Sequence, residues 1–395
     1  MNETPLTRLI SEPEEVRKKK GTLHTPAEIL QQPALWRETA AKVTGLTVRA
    51  EGLFKRVPAI IITGAGSSLH AGRLMEAAAR TWFRSAVTVV SCTDLMIAPE
   101  WYLPKNGPGV LLSLSRSGES PEIVEAARVV KEGFKDVAQV AITCNPTGAL
   151  TRVVEGLKLG LCVYLPERSY DRGMGTTSSV TSTVVAGRYL VGLYAAPEPQ
   201  AYLERTEVLA RVAEGLLAEH AATAEAIAAT DPGRVVVLGT LPLEAAAQEV
   251  AHKILELTDG QVPTMARNFL EFRHGPIAFI DRSTTVLCLV SNNPGILPYE
   301  RDFVRQLSES RSAKEVVVVG SETRDFEGAA DRVIPFPEGK CNLGERAILD
   351  VVFGQMLALF ISLRRGLTPD LPGTRGLVNP IVKGVTIYPP KGKKG

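Results

Sequence analysis

The sequence predicts an α/β protein in which one parallel-sheet unit occurs twice. Three observations carry this. Short apolar runs rich in Val, Ile and Leu alternate with helical patterns along most of the chain. The same order of runs and helices returns in the second half. One register aligns the halves: Gly64 and Gly239 are 175 residues apart, and so are Ser117 and Asn292.

In the first copy, "AIIITGAG" (59–66) reads as a strand followed by an Ala-rich helix from about Leu69 to Trp82. Then come "VTVVS" (87–91), "GVLLSLS" (109–115), a helix from Pro121 to Lys131, "VAQVAIT" (137–143) and "LCVYLP" (161–166). A long helix, roughly Ser178 to Tyr194, closes this half. In the second copy, "RVVVLGT" (234–240) leads into an Ala-rich helix from about Leu243 to Leu257. "TTVLCLVSNN" (284–293), a helix near Pro298 to Glu309, "KEVVVVGSE" (314–322) and "DRVIPFP" (331–337) follow. A helix from about Glu345 to Arg364 closes it. The expected layout is an N-terminal extension (1–34) packing on the first unit or on a partner, a first domain (35–200), a second (210–385) and a tail (386–395), with the joint near 196–215.

Composition narrows the class. The chain has 395 residues, 45% of them hydrophobic and 22% charged, which is ordinary for a globular protein. A net charge of +2 gives no global attraction for nucleic acid or membrane. The basic tail "PPKGKKG" reads as a solvated end. No apolar run approaches the roughly 20 residues of a membrane span, and the N-terminus has no apolar signal core. Five cysteines, odd in number and without CxxC spacing, read as reduced thiols, not a disulfide frame or a zinc site. A cytoplasmic protein is expected.

The copies differ where ligands bind. In open parallel sheets that place is beyond the carboxyl ends of the strands. After its first strand, copy one has "GAGSSLHAG" and copy two has "GTLPLEAAA"; after the third, "SLSRSGES" stands against "CLVSNNPG". A purely structural hydroxyl cluster should occur twice, and this one occurs once. Each Ser-rich loop also opens a helix, whose free N–H groups and dipole favour an anion. Ser67, Ser68, Ser115, Ser117 and Ser120 therefore read as a phosphate cradle. Serine is also a preferred helix cap, which accounts for one serine per loop. The cradle is not a P-loop, and Leu69 stands where a dinucleotide fingerprint needs its third glycine.

Two further places offer chemistry. On the helix "LEAAAQEVAHKILEL", Glu249, His252, Lys253 and Glu256 share one face. They read either as a solvated stripe of i,i+4 ion pairs or as a reactive face. His274 sits in "FRHGP", just before a turn, either as a satisfied loop histidine or as a proton carrier.

"GAGSS" and "SRSGES" together resemble the tandem SIS (sugar isomerase) family, which includes the isomerase half of glucosamine-6-phosphate synthase. "EFRHGP" (271–276) and "GLTPDLPGTRGLVNPIVKGVTIYP" (366–389) are similar to its galactosamine-6-phosphate deaminase or tagatose-6-phosphate isomerase branch. The resemblance covers roughly residues 35 to 390 and implies flavodoxin-like three-layer α/β/α domains, each a mostly parallel sheet flanked by helices. It implies Glu256 as the base that shuttles a proton between C1 and C2, with Lys253 and Glu249 beside it. It implies His274 as the ring-opening group, donated by a neighbouring subunit of a homodimer or larger assembly, and Lys383 as a contact to the open-chain sugar. Ser67, Ser68, Ser115, Arg116, Ser117 and Ser120 match the phosphate pattern. Between Glu256 and the HGP motif the chain is about two residues longer than the synthase pattern.

These residue types suit the reaction. One carboxylate can reach two adjacent carbons, imidazole titrates near the right pH to carry the ring-oxygen proton, and a remote phosphate orients the sugar. No metal or organic cofactor is required. The chain begins Met1-Asn2-Glu3, without the nucleophilic cysteine of the synthase's glutaminase, so release of ammonia is the expected direction. The expected function is conversion of a 2-amino-2-deoxy-hexose 6-phosphate, galactosamine 6-phosphate, to tagatose 6-phosphate and ammonia. A plain aldose/ketose isomerase and a non-catalytic sugar-phosphate sensor are the alternatives. No recognition-helix pattern marks the first fifty residues, as a transcriptional sensor would need.

Overall fold

Strands buried on both faces read as unbroken apolar runs, and the computed structural model places them so. It describes residues 3–55, 57–79, 86–193, 198–337, 341–373 and 384–388. Five short helices come first: α1 (Pro5–Ser11), α2 (Glu14–Lys20), α3 (Thr25–Leu30), α4 (Gln32–Thr44) and α5 (Thr47–Phe54). The first copy then lays down β1 (Ala59–Gly64), α6 (Ser67–Ala79), β2 (Ala86–Ser91), α7 (Cys92–Ile97), β3 (Gly109–Ser115), α8 (Pro121–Gly133), β4 (Val137–Thr143), α9 (Ala149–Glu155), β5 (Gly160–Tyr164) and α10 (Thr177–Gly192). Its five strands form one parallel sheet in the order β2-β1-β3-β4-β5.

A 31-residue helix, α11 (Pro199–Ala229), follows where the sequence suggested only a joint. The second copy runs β6 (Arg234–Gly239), α12 (Pro242–Leu257), β7 (Thr264–Asn268), β8 (Thr284–Leu289), α13 (Leu297–Ser310), β9 (Glu315–Gly320), β10 (Arg332–Pro335) and α14 (Leu343–Arg364). Its sheet, β10-β9-β8-β6-β7, is also all parallel and has the same order read from the other edge. The 175-residue register holds through the central strands. Ile62 pairs with Val89 and Leu112, and its counterpart Val237 with Ala266 and Leu287.

Besides α11, three elements were missed in the sequence, α7, α9 and β7. β7 ("TMARN") lies at the edge and is only half-buried, so it carries no apolar run. The predicted helix ends at Trp82 and Tyr194 lie outside the described residues.

The chain divides into two compact units that do not follow its linear order. One holds the residues up to Ala34, Asp171–Thr177 and the chain from Glu207 through α14. The other holds Leu35–Tyr170 and Ser178–Thr206. The first 34 residues therefore cluster with the second sheet. In that unit Gln32 donates to Gln355 of α14 at 2.8 Å.

Each sheet has its own apolar core. Ile61, Leu111 and Ala141 pack with Ile123, Ala127 and Val130 of α8. Val236, Val286 and Val316 pack with Phe303 and Leu307 of α13. Gly64 and Gly239 end the leading strands for one shared reason. A Cβ on Gly239 would lie 2.3 Å from Leu243 O, and one on Gly64 would lie 2.9 Å from Ser68 C. The helix turns back over the strand end too closely for any side chain.

α14 is long and apolar enough to cross a membrane, although no run in the sequence stood out as such. Within its apolar window 94% is buried inside the protein, which makes it a core helix. A capping box, Asn342 with Glu345, starts it. Arg346 and Asp350 sit in its buried length. The guanidinium pairs with Asp350 at 2.9 Å and donates to Val290 O and Val319 O, at the carboxyl ends of β8 and β9. Burial raises the Asp350 carboxyl to about 6, against the pull of Arg346.

Removing one member of such a pair strands the other in the core. Arg346→Met should lower the unfolding free energy by about 3–5 kcal/mol, and Arg346→Met with Asp350→Leu should recover most of it. Chemical denaturation of the three proteins measures this.

Candidate active site

In the first sheet the strand order reverses at β1, between β2 and β3, and the loops after β1 and β3 carry the serines. After β3, the carbonyls of Arg116, Ser117 and Gly118 all accept hydrogen bonds from the β4–α9 segment. Cys144 N–H reaches Arg116 O at 3.0 Å, Asn145 Nδ2 reaches Ser117 O at 2.9 Å, and Leu150 N–H reaches Gly118 O at 2.9 Å. The loop is strapped down by its acceptors. Its hydroxyls take backbone donors instead: Ser115 Oγ accepts Gly118 N–H at 3.0 Å, and Ser117 Oγ accepts Glu119 N–H at 3.3 Å. A hydroxyl that already accepts keeps its own proton to donate, and chained hydrogen bonds reinforce each other.

The capping alternative can now be tested serine by serine. Ser120 is the N-cap residue of α8, yet its side chain makes no cap bond. Ser67 opens α6, and its hydroxyl is buried without a hydrogen-bond partner. Ser68 follows it, half-buried. Arg116 is half-buried, with its guanidinium 5.6 Å from the Tyr170 ring centre. Ser115 and Ser117 shape the turn, while Ser67 and Ser120 have donors to spend. This combination of a fixed loop and unspent hydroxyls suits a phosphate.

The second copy fills the corresponding place with its own groups. Ser291 N–H, after β8, donates to the Glu300 carboxylate of α13 at 2.7 Å. Glu300 is fully buried, and burial raises its pKa although Ser291 pulls the other way. An internal carboxylate takes up that loop N–H, where the first copy uses serine hydroxyls.

In the other unit, α12 carries the reactive-face candidates, and the solvated-stripe alternative fails. Glu249 and Lys253 have no exposure at all. The Lys253 ammonium lies 3.9 Å from Glu249 Oε1 and 2.5 Å from Glu256 Oε2. It also donates to Gly175 O at 2.8 Å and Thr176 Oγ1 at 3.1 Å. The Glu256 side chain keeps 17% exposure, and His252 Nε2 lies 3.9 Å from its Oε2. A carboxylate held by a buried ammonium yet open on one side is placed to work as a base.

Gly175 and Thr176 did not stand out in the sequence. "GMGTT", Gly-rich and opening a helix, is the same signal that marked the serine loops. Thr176 holds φ +44°, which a β-branched residue adopts only when its surroundings enforce it.

His274 ends a tight helical turn (Glu271–Arg273). Buried Phe272 and the stacking of Arg273 on Phe303, at 4.6 Å, fix that turn and leave His274 exposed. The structure does not place His274 in the Glu249–Lys253–Glu256 group. Lys383 lies outside the described residues.

No family model matches the chain. Individual relatives do. An AgaS protein of Streptomyces coelicolor, a candidate D-galactosamine-6-phosphate deaminase, is 35% identical over 376 residues, which is 93% of this chain and 96% of the relative. The chain belongs to the AgaS family. The D-galactosamine-6-phosphate deaminase AgaS of a Shewanella species is 32% identical, covering 93% and 92%. The crystal structure of tagatose-6-phosphate ketose/aldose isomerase from Escherichia coli superposes with a TM-score of 0.84 at 28% identity, covering 93% of this chain and 97% of that one. The two parallel five-stranded sheets are those of tandem SIS domains.

The unspent hydroxyl of Ser120 separates cap from ligand. Ser120→Ala should leave thermal stability within about 0.5 kcal/mol, because no cap bond is lost. It should weaken inorganic phosphate binding about fivefold, near 1 kcal/mol. Calorimetric titration beside a thermal melt reads both.

Proposed function

We propose that this AgaS-family chain is a deaminating aldose–ketose isomerase that converts galactosamine 6-phosphate and water to tagatose 6-phosphate and ammonia. The observation that carries the reading is the buried Lys253 ammonium set against the partly open Glu256 carboxylate. The deaminase names of relatives that match over nine-tenths of the chain support the substrate class.

Ser67, Ser68, Ser115, Arg116, Ser117 and Ser120 bind the phosphate, a handle remote from the reacting carbons. Exposed His274 handles the ring-oxygen proton as the sugar opens to its aldehyde. It does so in a neighbouring subunit, which accounts for a fixed imidazole left on the surface of its own. Glu256 takes the proton from C2, leaving an enaminol, and returns it to C1. That yields a C2 imine and a C1 hydroxymethyl group. Water adds to the imine carbon, and nitrogen leaves as ammonia. Lys253 holds the carboxylate in place, and Lys383 holds the open chain. The enzyme needs no metal or organic cofactor.

It acts in the cytoplasm, in keeping with five cysteines of which four are buried. Burial raises Cys162 to about 11, so that thiol is a packing group.

A plain ketose/aldose isomerase is the second reading, favoured by the name of the Escherichia coli structure. It uses the same carboxylate on a sugar with oxygen at C2.

Ammonia release from galactosamine 6-phosphate and glucosamine 6-phosphate, beside tagatose 6-phosphate isomerisation, decides between them. Ammonia from the galacto epimer is expected. Isomerisation without ammonia would transfer the site to the second reading. Glu256→Gln should lower kcat by about 10³ with KM little changed, the loss of a general base. Glu256→Gln and His274→Ala subunits, each inactive, should recover roughly a quarter of native activity when mixed as dimers. No recovery in any mixed assembly would remove His274 from the neighbour's site.

A further inference from the structure

Lys253 is held by the 171–177 segment, and that segment is itself clamped from a part of the chain with no assigned role. The Glu28 carboxylate of α3 accepts Arg172 N–H at 2.6 Å and Gly173 N–H at 3.2 Å. Asp370, beyond α14, accepts Met174 N–H on its carbonyl at 3.0 Å. Its carboxylate takes Thr25 N–H at 2.8 Å and Thr25 Oγ1 at 2.7 Å. Three consecutive amides, 172 to 174, are thus fixed one residue before Gly175 O and Thr176 Oγ1 receive the ammonium. The fit is close: a Cβ on Gly173 would lie 2.6 Å from Thr25 Oγ1 and 2.8 Å from Glu28 Oε2.

We propose that Glu28 is a positioning residue of the reaction: through the 172–176 backbone it sets where Lys253 stands beside Glu256. This rests on the deaminase reading for its kinetic consequence, but not for its structural one.

The clamp has a cost that packing alone would not select. Glu28 is buried and faces the carboxylates of Asp171 and Asp370. Burial and Asp171 raise its pKa to about 7, and the Arg172 and Gly173 amides offset part of that. A raised carboxyl favours folding when protonated, so this contribution is full below the ordinary carboxylate range and is lost as pH rises through about 7. At pH 8 the ionised Glu28 weakens the fold while it makes the stronger acceptor for two amides.

Glu28→Gln separates position from stability, since glutamine keeps the shape and drops the charge. At pH 8.5 hydrogen exchange in peptides covering 172–176 should quicken at least tenfold. kcat for ammonia release should fall about tenfold with KM within threefold, and Tm should be no lower than wild type. Glu28→Asp, charged but one methylene short, should lose kcat similarly while keeping the wild-type fall of Tm with pH. Unchanged exchange in Glu28→Gln, or a kcat loss matched by a lower Tm at pH 8.5, would overturn the proposal. If the wild type releases no ammonia from any amino sugar phosphate, the functional reading fails. The exchange measurement then decides the positioning claim alone.

Discussion

A lysine side chain with no exposure is the most demanding group in the second-sheet unit, and much of that unit is organised around its partners. Desolvation of an ammonium costs several kcal/mol unless acceptors and opposite charges are matched around it. α12 supplies two carboxylates at i−4 and i+3, Glu249 and Glu256. A carbonyl and a hydroxyl come from 175–176, a segment far away in sequence. That segment has to be fixed, and the N-terminal helices with the turn after α14 fix it. The unit therefore gathers three stretches of chain that a reading by sequence order would keep apart.

This explains what was and was not legible beforehand. Strands buried on both faces announce themselves as Val- and Ile-rich runs, and the duplication follows from glycines that obey one steric rule at Gly64 and Gly239. The serine loops were legible because hydroxyls at strand ends are locally unusual. β7 was not, because an edge strand needs no apolar pattern. Glu28 was not, because its partners are backbone amides 144 and 145 residues away, and a backbone amide leaves no mark in a sequence. The face of α12 was legible as a face but not as buried. Helical spacing says which residues share a side, whereas burial depends on what covers that side.

The two copies diverged at the point where a parallel sheet concentrates its polar ends. Each has to settle the polar groups of the loop after its third strand. Copy two sets the Glu300 carboxylate against Ser291 N–H and covers the neighbouring carbonyls of Val290 and Val319 with Arg346. Copy one sets the hydroxyls of Ser115 and Ser117 against Gly118 N–H and Glu119 N–H. An internal carboxylate cannot leave, so that switch point is a permanent part of the core. Serines carry no charge to bury, so their loop folds without a counter-ion. Duplication thus produced one sheet end lined with hydroxyls and one closed by a buried carboxylate. Copy two also buries a lysine on its first helix, where copy one has none. The asymmetry that singled out "SLSRSGES" in the sequence is, in physical terms, hydroxyls in one copy where the other holds an internal carboxylate.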